Sequence, residues 1–124
     1  MINPILVSIV DDDESVRESL PDLLRELGFR VRAFASAEAF LASDGVDATE
    51  CLILDVALSG MSGPDLFRKL ADGGRRIPTV FITAHGNEAL RESLLARGAL
   101  ACLSKPFSES ALREALDAAL SKNR

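Results

Sequence analysis

The segment Val7-Ser8-Ile9-Val10-Asp11-Asp12-Asp13-Glu14 decides the fold of this chain. The apolar run from Ile5 to Val10 is typical of a buried β-strand, and four acidic residues follow it directly, ahead of a predicted helix. Ligands of an open α/β sheet bind outside the carboxyl ends of its strands, so the acids predict a site there. Carboxylates this close repel one another unless a cation or a partner neutralises them. The alternative is that they only cap the helix, although one aspartate would suffice for that.

Length, composition and charge narrow the class of protein. With 124 residues, 48% of them hydrophobic and 27% charged, we expect one globular domain over residues 1–124. The net charge of −5 provides no basic surface for nucleic acid and little attraction to anionic membranes. There is no apolar run of the roughly 18 residues that a membrane span needs, and no secretory signal at the start. Because Cys51 and Cys102 each lie in an apolar run, we expect buried free thiols rather than a disulfide between them. Together with the missing signal, this predicts a cytoplasmic protein.

Hydrophobic periodicity predicts five strands that alternate with five helices. The strands are expected at residues 5–10, 29–34, 51–54, 78–83 and 99–103, with the second at an edge of the sheet because basic residues alternate along it. Pro21 predicts a kinked first helix that still remains one helix. Strands and helices that alternate through short connections specify a parallel sheet covered on both faces.

Polar residues follow four of the predicted strands. Right-handed crossovers bring the carboxyl ends of all the strands to one rim of such a sheet, so these residues should share a pocket. They are Asp11 with Asp12, Asp55, Thr83 and Lys105.

In this ordered set the chain resembles the receiver domain of two-component response regulators, the chemotaxis-type phosphoacceptor fold. The motifs are Asp11-Asp12, Asp55, Thr83-Ala84 and Lys105-Pro106, each at a predicted strand end. The segments 10–13, 36–41, 82–86 and 105–107 look most like receivers of the nitrogen-fixation regulator type. The resemblance covers residues 5–120 and implies a three-layer, doubly wound α/β fold with flavodoxin-like strand order 2-1-3-4-5. Such relatives commonly carry a C-terminal helix-turn-helix DNA-binding domain, which we do not expect within these residues.

The resemblance implies that Asp55 is the phosphoacceptor. A carboxylate is a competent nucleophile for phosphoryl transfer, a reaction that depends mainly on positioning and charge neutralisation. The family also implies a Mg²⁺ held by Asp11, Asp12, Asp55 and the backbone carbonyl of Ala57, since Mg²⁺ takes hard oxygen ligands. Ala57 is in addition a modulator of phosphoryl lifetime in this interpretation. Asp55 could otherwise be a capping acid at a strand end.

The remaining roles implied by the family lie after the fourth and fifth strands. Lys105 would contact the acyl phosphate and pair with the phosphoacceptor when no phosphoryl group is bound, and the bond before Pro106 would be cis. The Thr83 hydroxyl and the Ala84 N–H would bind phosphoryl oxygens, and His85 would modulate phosphoryl lifetime. The plain alternatives are a surface lysine, an ordinary β-residue at Thr83 and a solvated histidine.

Two positions depart from the family pattern. Leu58 and Ser59 replace the usual Met-Pro pair after the phosphoacceptor, which predicts a less rigid loop and weaker metal binding or slower phosphorylation. Cys102 stands where receivers usually carry the Tyr or Phe that moves inward together with Thr83 after phosphorylation. A small thiol cannot reproduce that movement, so we expect an altered output mechanism.

Three functions remain after these considerations, and the first fits best. It is a non-enzymatic signalling module that receives phosphoryl groups from a histidine kinase or phosphotransfer protein. It would then bind an effector or a second copy through the face of the predicted fourth helix, fifth strand and fifth helix, with no direct contact to nucleic acid or membrane. The second is a degenerate receiver that binds partners independently of phosphorylation. The third, a flavodoxin-like cofactor binder or a phosphatase, lacks a phosphate loop, a flavin-stacking Trp or Tyr, and a second catalytic acid.

Overall fold

Five parallel strands form the centre of the computed structural model, which describes residues 4–84 and 88–121. The sheet order is β2-β1-β3-β4-β5, as predicted, with β2 at one edge. All neighbouring strands pair in parallel. The strands are β1 (Leu6–Val10), β2 (Arg30–Phe34), β3 (Cys51–Asp55), β4 (Thr79–Thr83) and β5 (Ala101–Ser104).

Six helices connect the strands in the described part of the chain. They are α1 (Glu14–Glu26), α2 (Ala37–Ala42), α3 (Gly45–Ala48), α4 (Gly63–Asp72), α5 (Glu88–Ala96) and α6 (Glu109–Ser121). The predicted count of five helices was wrong, because the sequence around Gly45 indicates only a turn. There the Thr49 N–H and hydroxyl donate to the Gly45 carbonyl at 2.9 and 2.6 Å, which closes one helical turn. None of the described helices has the length and apolar character needed to cross a membrane.

The chemistry of the helix starts accounts for where most helices begin. Side chains of Asp13, Ser36, Ser62 and Ser108 each accept a hydrogen bond from a backbone N–H in the first turn of α1, α2, α4 and α6. Pro21 lies inside α1, which runs as a single helix, as predicted.

The predicted start of β5 at residue 99 was two residues early. Gly98 has a φ of +107°, and the Ala99 N–H donates to the Leu94 carbonyl at 3.0 Å. Both features belong to the C-terminal turn of α5, so the strand starts only at Ala101.

Apolar side chains fill both faces of the sheet, which confirms the three-layer, doubly wound architecture. On one face the core includes Phe40, Leu66, Phe81 and Leu94, from α2, α4, β4 and α5. On the other face it includes Leu20, Leu24, Leu112 and Leu116, from α1 and α6. Both cysteines are free and buried, as predicted. Because helices cover both faces, polar groups gather at the carboxyl edge of the strands.

Candidate functional site

Backbone hydrogen bonds fix the strand ends that form the carboxyl edge of the sheet. The Val56 N–H donates to the Ile82 carbonyl at 2.9 Å, which aligns the ends of β3 and β4. The Lys105 N–H donates to the Thr83 carbonyl at 2.8 Å and aligns the ends of β4 and β5 in the same way. The sequence-predicted residues therefore meet at one edge, since each follows its strand without an intervening loop.

Three carboxylates converge at this edge. Asp11, Asp12 and Asp55 each offer one oxygen, and these oxygens lie within 4.8 Å of one another. Asp11 is 1% exposed and Asp55 is 6% exposed, whereas Asp12 faces solvent. One oxygen of Asp11 accepts from the Asp13 N–H at 2.9 Å, and one oxygen of Asp55 accepts from the Ala57 N–H at 3.3 Å. The backbone therefore orients both buried carboxylates.

The Lys105 ammonium lies between the two buried carboxylates. Its Nζ is 3.1 Å from Asp11 Oδ2 and 3.9 Å from Asp55 Oδ2. The sequence predicted a pair with Asp55, but the closer partner is Asp11. The buried Oδ2 of Asp11 accepts no well-aligned hydrogen bond, so its contact with Lys105 is an ion pair rather than a directed bond.

Burial and the neighbouring charges shift the pKa values of Asp55 and Lys105. Burial, followed by repulsion from Asp11, raises the pKa of Asp55 to about 6, although Lys105 acts in the opposite direction. For Lys105, burial alone would lower the pKa, but the contact with Asp11 and the charge of Asp55 outweigh it and raise the pKa. The lysine therefore stays charged at neutral pH, and Asp55 is ionised above about pH 6.

The donor set fits a divalent cation. Three carboxylate oxygens face one another, and within the described part of the chain the Lys105 ammonium is the cation that pairs with them. The Asp11 Oδ2 has this ion pair but no hydrogen-bond partner, so it can also coordinate a metal ion. Oxygen donors of this kind suit a hard cation such as Mg²⁺.

The other predicted site residues lie on or directly after β4 and β5. Thr83 is the last residue of β4 and is partly buried, and Ala84 follows it at the surface. Cys102 is 6% exposed within β5, where it pairs in register with Phe81. The bond between Lys105 and Pro106 is cis, as predicted. His85 lies outside the described residues.

Three side-chain interactions near this edge, and one close backbone approach, escaped the sequence interpretation. Arg17 donates from Nη1 to the Asp11 carbonyl at 3.0 Å. The Ser59 N–H and hydroxyl donate to Asp12, and the Met61 N–H donates to Glu38. Gly63 begins α4, and a Cβ there would overlap the Asp55 carbonyl oxygen. In the sequence, Ser59 stood out only as part of a departure from the family pattern, and nothing there indicated its contact with Asp12.

Residues 7–117 match the family model described as the response regulator receiver domain. This chain belongs to that family. It is 45% identical over 115 residues to the response regulator protein TmoT of Ectopseudomonas mendocina, covering 93% of this chain and 52% of that protein. It is 39% identical over 113 residues to the transcriptional regulatory protein FixJ of Rhizobium meliloti, covering 91% and 55%.

A solved receiver has the same fold. The crystal structure of FixJ-N superposes with a TM-score of 0.85 at 36% identity, covering 97% of this chain and 96% of that one. The receiver spans about half the length of the curated relatives it matches.

The family fixes the general activity. This receiver is a phosphoacceptor domain of two-component signalling and not a typical enzyme. Response regulator receivers interact with histidine kinases and effector domains, and they generally bind Mg²⁺ at an acidic pocket. In this receiver three carboxylates converge at the carboxyl edge of the sheet.

Proposed function

We propose that residues 1–124 form one cytoplasmic receiver domain that takes a phosphoryl group on Asp55, with Mg²⁺, from a histidine kinase or a phosphotransfer protein. One observation carries the proposal. Asp55 is a buried carboxylate at the end of β3, and it faces two further carboxylates and the Lys105 ammonium at the same edge. A nucleophile, a cation-binding pocket and a positive charge are the parts that phosphoryl transfer requires.

In the transfer, an Asp55 carboxylate oxygen attacks the phosphorus of the donor, and the bond between phosphorus and the donor's imidazole nitrogen breaks. The product is an acyl phosphate on Asp55, and the imidazole keeps the bonding electron pair. The nucleophile is ionised above about pH 6, so it is ready at neutral pH. Asp11, Asp12, Asp55 and the Ala57 carbonyl would hold Mg²⁺, which when bound supplies neutralising charge for the phosphoryl oxygens.

Residues on β4 and β5 would stabilise the phosphoryl group. Lys105 already contacts both buried carboxylates, so its ammonium can reach an oxygen of the acyl phosphate once the charge of Asp11 is otherwise neutralised. The Thr83 hydroxyl and the Ala84 N–H follow β4 and would donate to further oxygens. His85, together with Ala57, would control the access of water and hence the lifetime of the phosphoryl group.

The output surface is proposed to be the face formed by α5, β5 and α6, the elements numbered fourth helix, fifth strand and fifth helix in the sequence-based scheme. It would bind an effector or a second copy of the chain, with no direct contact to nucleic acid. Thr83, at the end of β4, and Cys102, within β5, are the residues that would respond to phosphorylation and transmit the change to this face. The small, buried Cys102 favours a second candidate function, a degenerate receiver that binds partners without phosphate.

Intact-mass measurement tests the proposal. The protein is incubated with Mg²⁺ and a small acyl phosphate, and a single phosphoryl adduct is expected on wild type. Asp55→Asn should abolish it, whereas Asp65→Asn, a change at an exposed aspartate of α4, should leave it intact. If wild type binds Mg²⁺ but forms no adduct, the degenerate receiver is the better function. Bound flavin colour would indicate a cofactor binder instead.

A further inference from the structure

The loop between β3 and α4 (residues 56–62) is held by two carboxylates from outside it. The Ser59 N–H and hydroxyl both donate to Asp12 Oδ2, at 3.2 and 3.3 Å. The Met61 N–H donates to Glu38 Oε2 at 2.9 Å. Leu58 adds an apolar anchor, since it is 9% exposed and packs in the core. The sequence-based expectation of a loosely held loop did not anticipate these contacts.

The approach of Glu38 to the loop depends on Gly60, which lies between Ser59 and Met61. Gly60 has a φ of +76°, and a Cβ there would lie 2.8 Å from Glu38 Oε2. A glycine is therefore needed for the carboxylate to come this close. The hydrogen bond from Met61 also lowers the pKa of Glu38, so the acceptor is charged at neutral pH.

The hydrogen bonds between Ser59 and Asp12 act on the candidate metal site. Asp12 is the exposed member of the acidic cluster, and repulsion from Asp11 and Asp55 favours its turning away into solvent. With Ser59 bonded to its Oδ2, Asp12 stays within 4.8 Å of the other two carboxylates. Hydrogen bonds to a ligating carboxylate fix its orientation and strengthen metal binding.

We propose that Glu38 is a positioning residue for the divalent cation of this receiver, acting through the loop. It holds the Met61 backbone, the loop then presents the two Ser59 donors, and these keep Asp12 in the acidic cluster. The proline that receivers usually carry at position 59 would have no N–H to donate. The hydrogen bonds to Asp12 therefore depend on the serine that this chain has there. The inference rests on the proposed function, because it assumes that the cluster binds Mg²⁺.

Calorimetric titration with Mg²⁺ alone tests the inference on wild type, Glu38→Ala and Glu38→Gln. Both variants remove the same negative charge, but glutamine keeps an oxygen that accepts from Met61. We expect Glu38→Ala to raise the Kd for Mg²⁺ about threefold to tenfold, with Glu38→Gln within about twofold of wild type. Ser59→Ala, which removes one of the two donors to Asp12, should raise the Kd by about twofold to fivefold. Ser62→Ala, in the same loop but directed at α4, should leave it unchanged.

These measurements distinguish a failure of the positioning role of Glu38 from a failure of the metal site itself. Equal Kd values for Glu38→Ala and Glu38→Gln would overturn the positioning role, since charge alone would then explain the effect. A lower melting temperature of Glu38→Ala in EDTA with an unchanged Kd would also overturn it, because the contact would be only structural. If wild type binds Mg²⁺ no better than Asp55→Asn does, the metal site of the proposed function fails and the inference falls with it.

Discussion

Replacement of Asp55 by asparagine should stabilise the metal-free protein at neutral pH, although it removes the proposed phosphoacceptor. Asp55 is 6% exposed and lies beside Asp11, and these two features raise its pKa from an ordinary 3.8 to about 6. At ~1.4 kcal/mol for each pKa unit, the shift corresponds to at most roughly 3 kcal/mol of cost for ionised Asp55 in the folded protein, and solvent screening reduces this cost. Asparagine has nearly the same shape without the charge. We therefore expect the variant to gain about 1 to 3 kcal/mol in free energy of unfolding.

The gain has a defined dependence on pH. Between about pH 4 and pH 6 the folded protein keeps the Asp55 proton, while the unfolded chain loses it. Wild-type stability from this group therefore falls as the pH rises through that window and stays low above it. The advantage of Asp55→Asn should be complete above about pH 6 and should vanish below about pH 4.

Urea unfolding in EDTA, followed by far-ultraviolet circular dichroism, measures this difference, since the chain has no Trp or Tyr to report by fluorescence. Wild type and Asp55→Asn are compared at pH 7.5, 5.5 and 4.0, with the exposed Asp117→Asn of α6 as the control that should change little. If Asp55→Asn is no more stable than wild type at pH 7.5, the ionised Asp55 carboxylate does not destabilise the folded protein. A gap that stays constant down to pH 4.0 would likewise exclude its charge as the cause.

Three further predictions concern stability, each measured by urea unfolding. Gly63→Ala should cost about 1 to 3 kcal/mol because its Cβ would overlap a backbone carbonyl, whereas Gly73→Ala, with ordinary contacts at 3.5 Å, should cost little; equal costs would contradict this. Thr49→Val should cost about 1 to 3 kcal/mol, since it leaves the buried Ser8 hydroxyl without its 2.6 Å partner; Ser8→Ala in that background should then add less than it does alone. Lys105→Met should destabilise the metal-free protein by about 1 to 3 kcal/mol at pH 7.5, because it strands a buried carboxylate, and unchanged stability would rule out the ion pair as a stabilising contact.

Short-range patterns predicted most of the fold. The five strands and the edge position of β2 follow from apolar runs and glycine stops, because the period of the pattern depends on which faces are buried. The order of the strands was implied only by the resemblance to receiver domains. The start of β5 and the one-turn helix α3 could not be predicted in this way. Both depend on individual backbone hydrogen bonds, as at Ala99 and Gly45, which the apolar pattern does not reveal.

The candidate site divides along the same line. The sequence alone placed Asp11, Asp55 and Lys105 at strand ends, since the carboxyl ends of parallel strands must share one edge. Only the tertiary structure decided that Lys105 lies nearer Asp11 than Asp55.

The tertiary structure also decided that Glu38 and Ser59 reach the loop and the acidic cluster from 23 and 47 residues away in the chain. No local pattern encodes such contacts, because they join side chains and backbone of separate elements whose distance is set by the packing of whole helices on the sheet. The sequence thus determines which residues stand at the strand ends, whereas the distances between them are set by the packing of the folded chain.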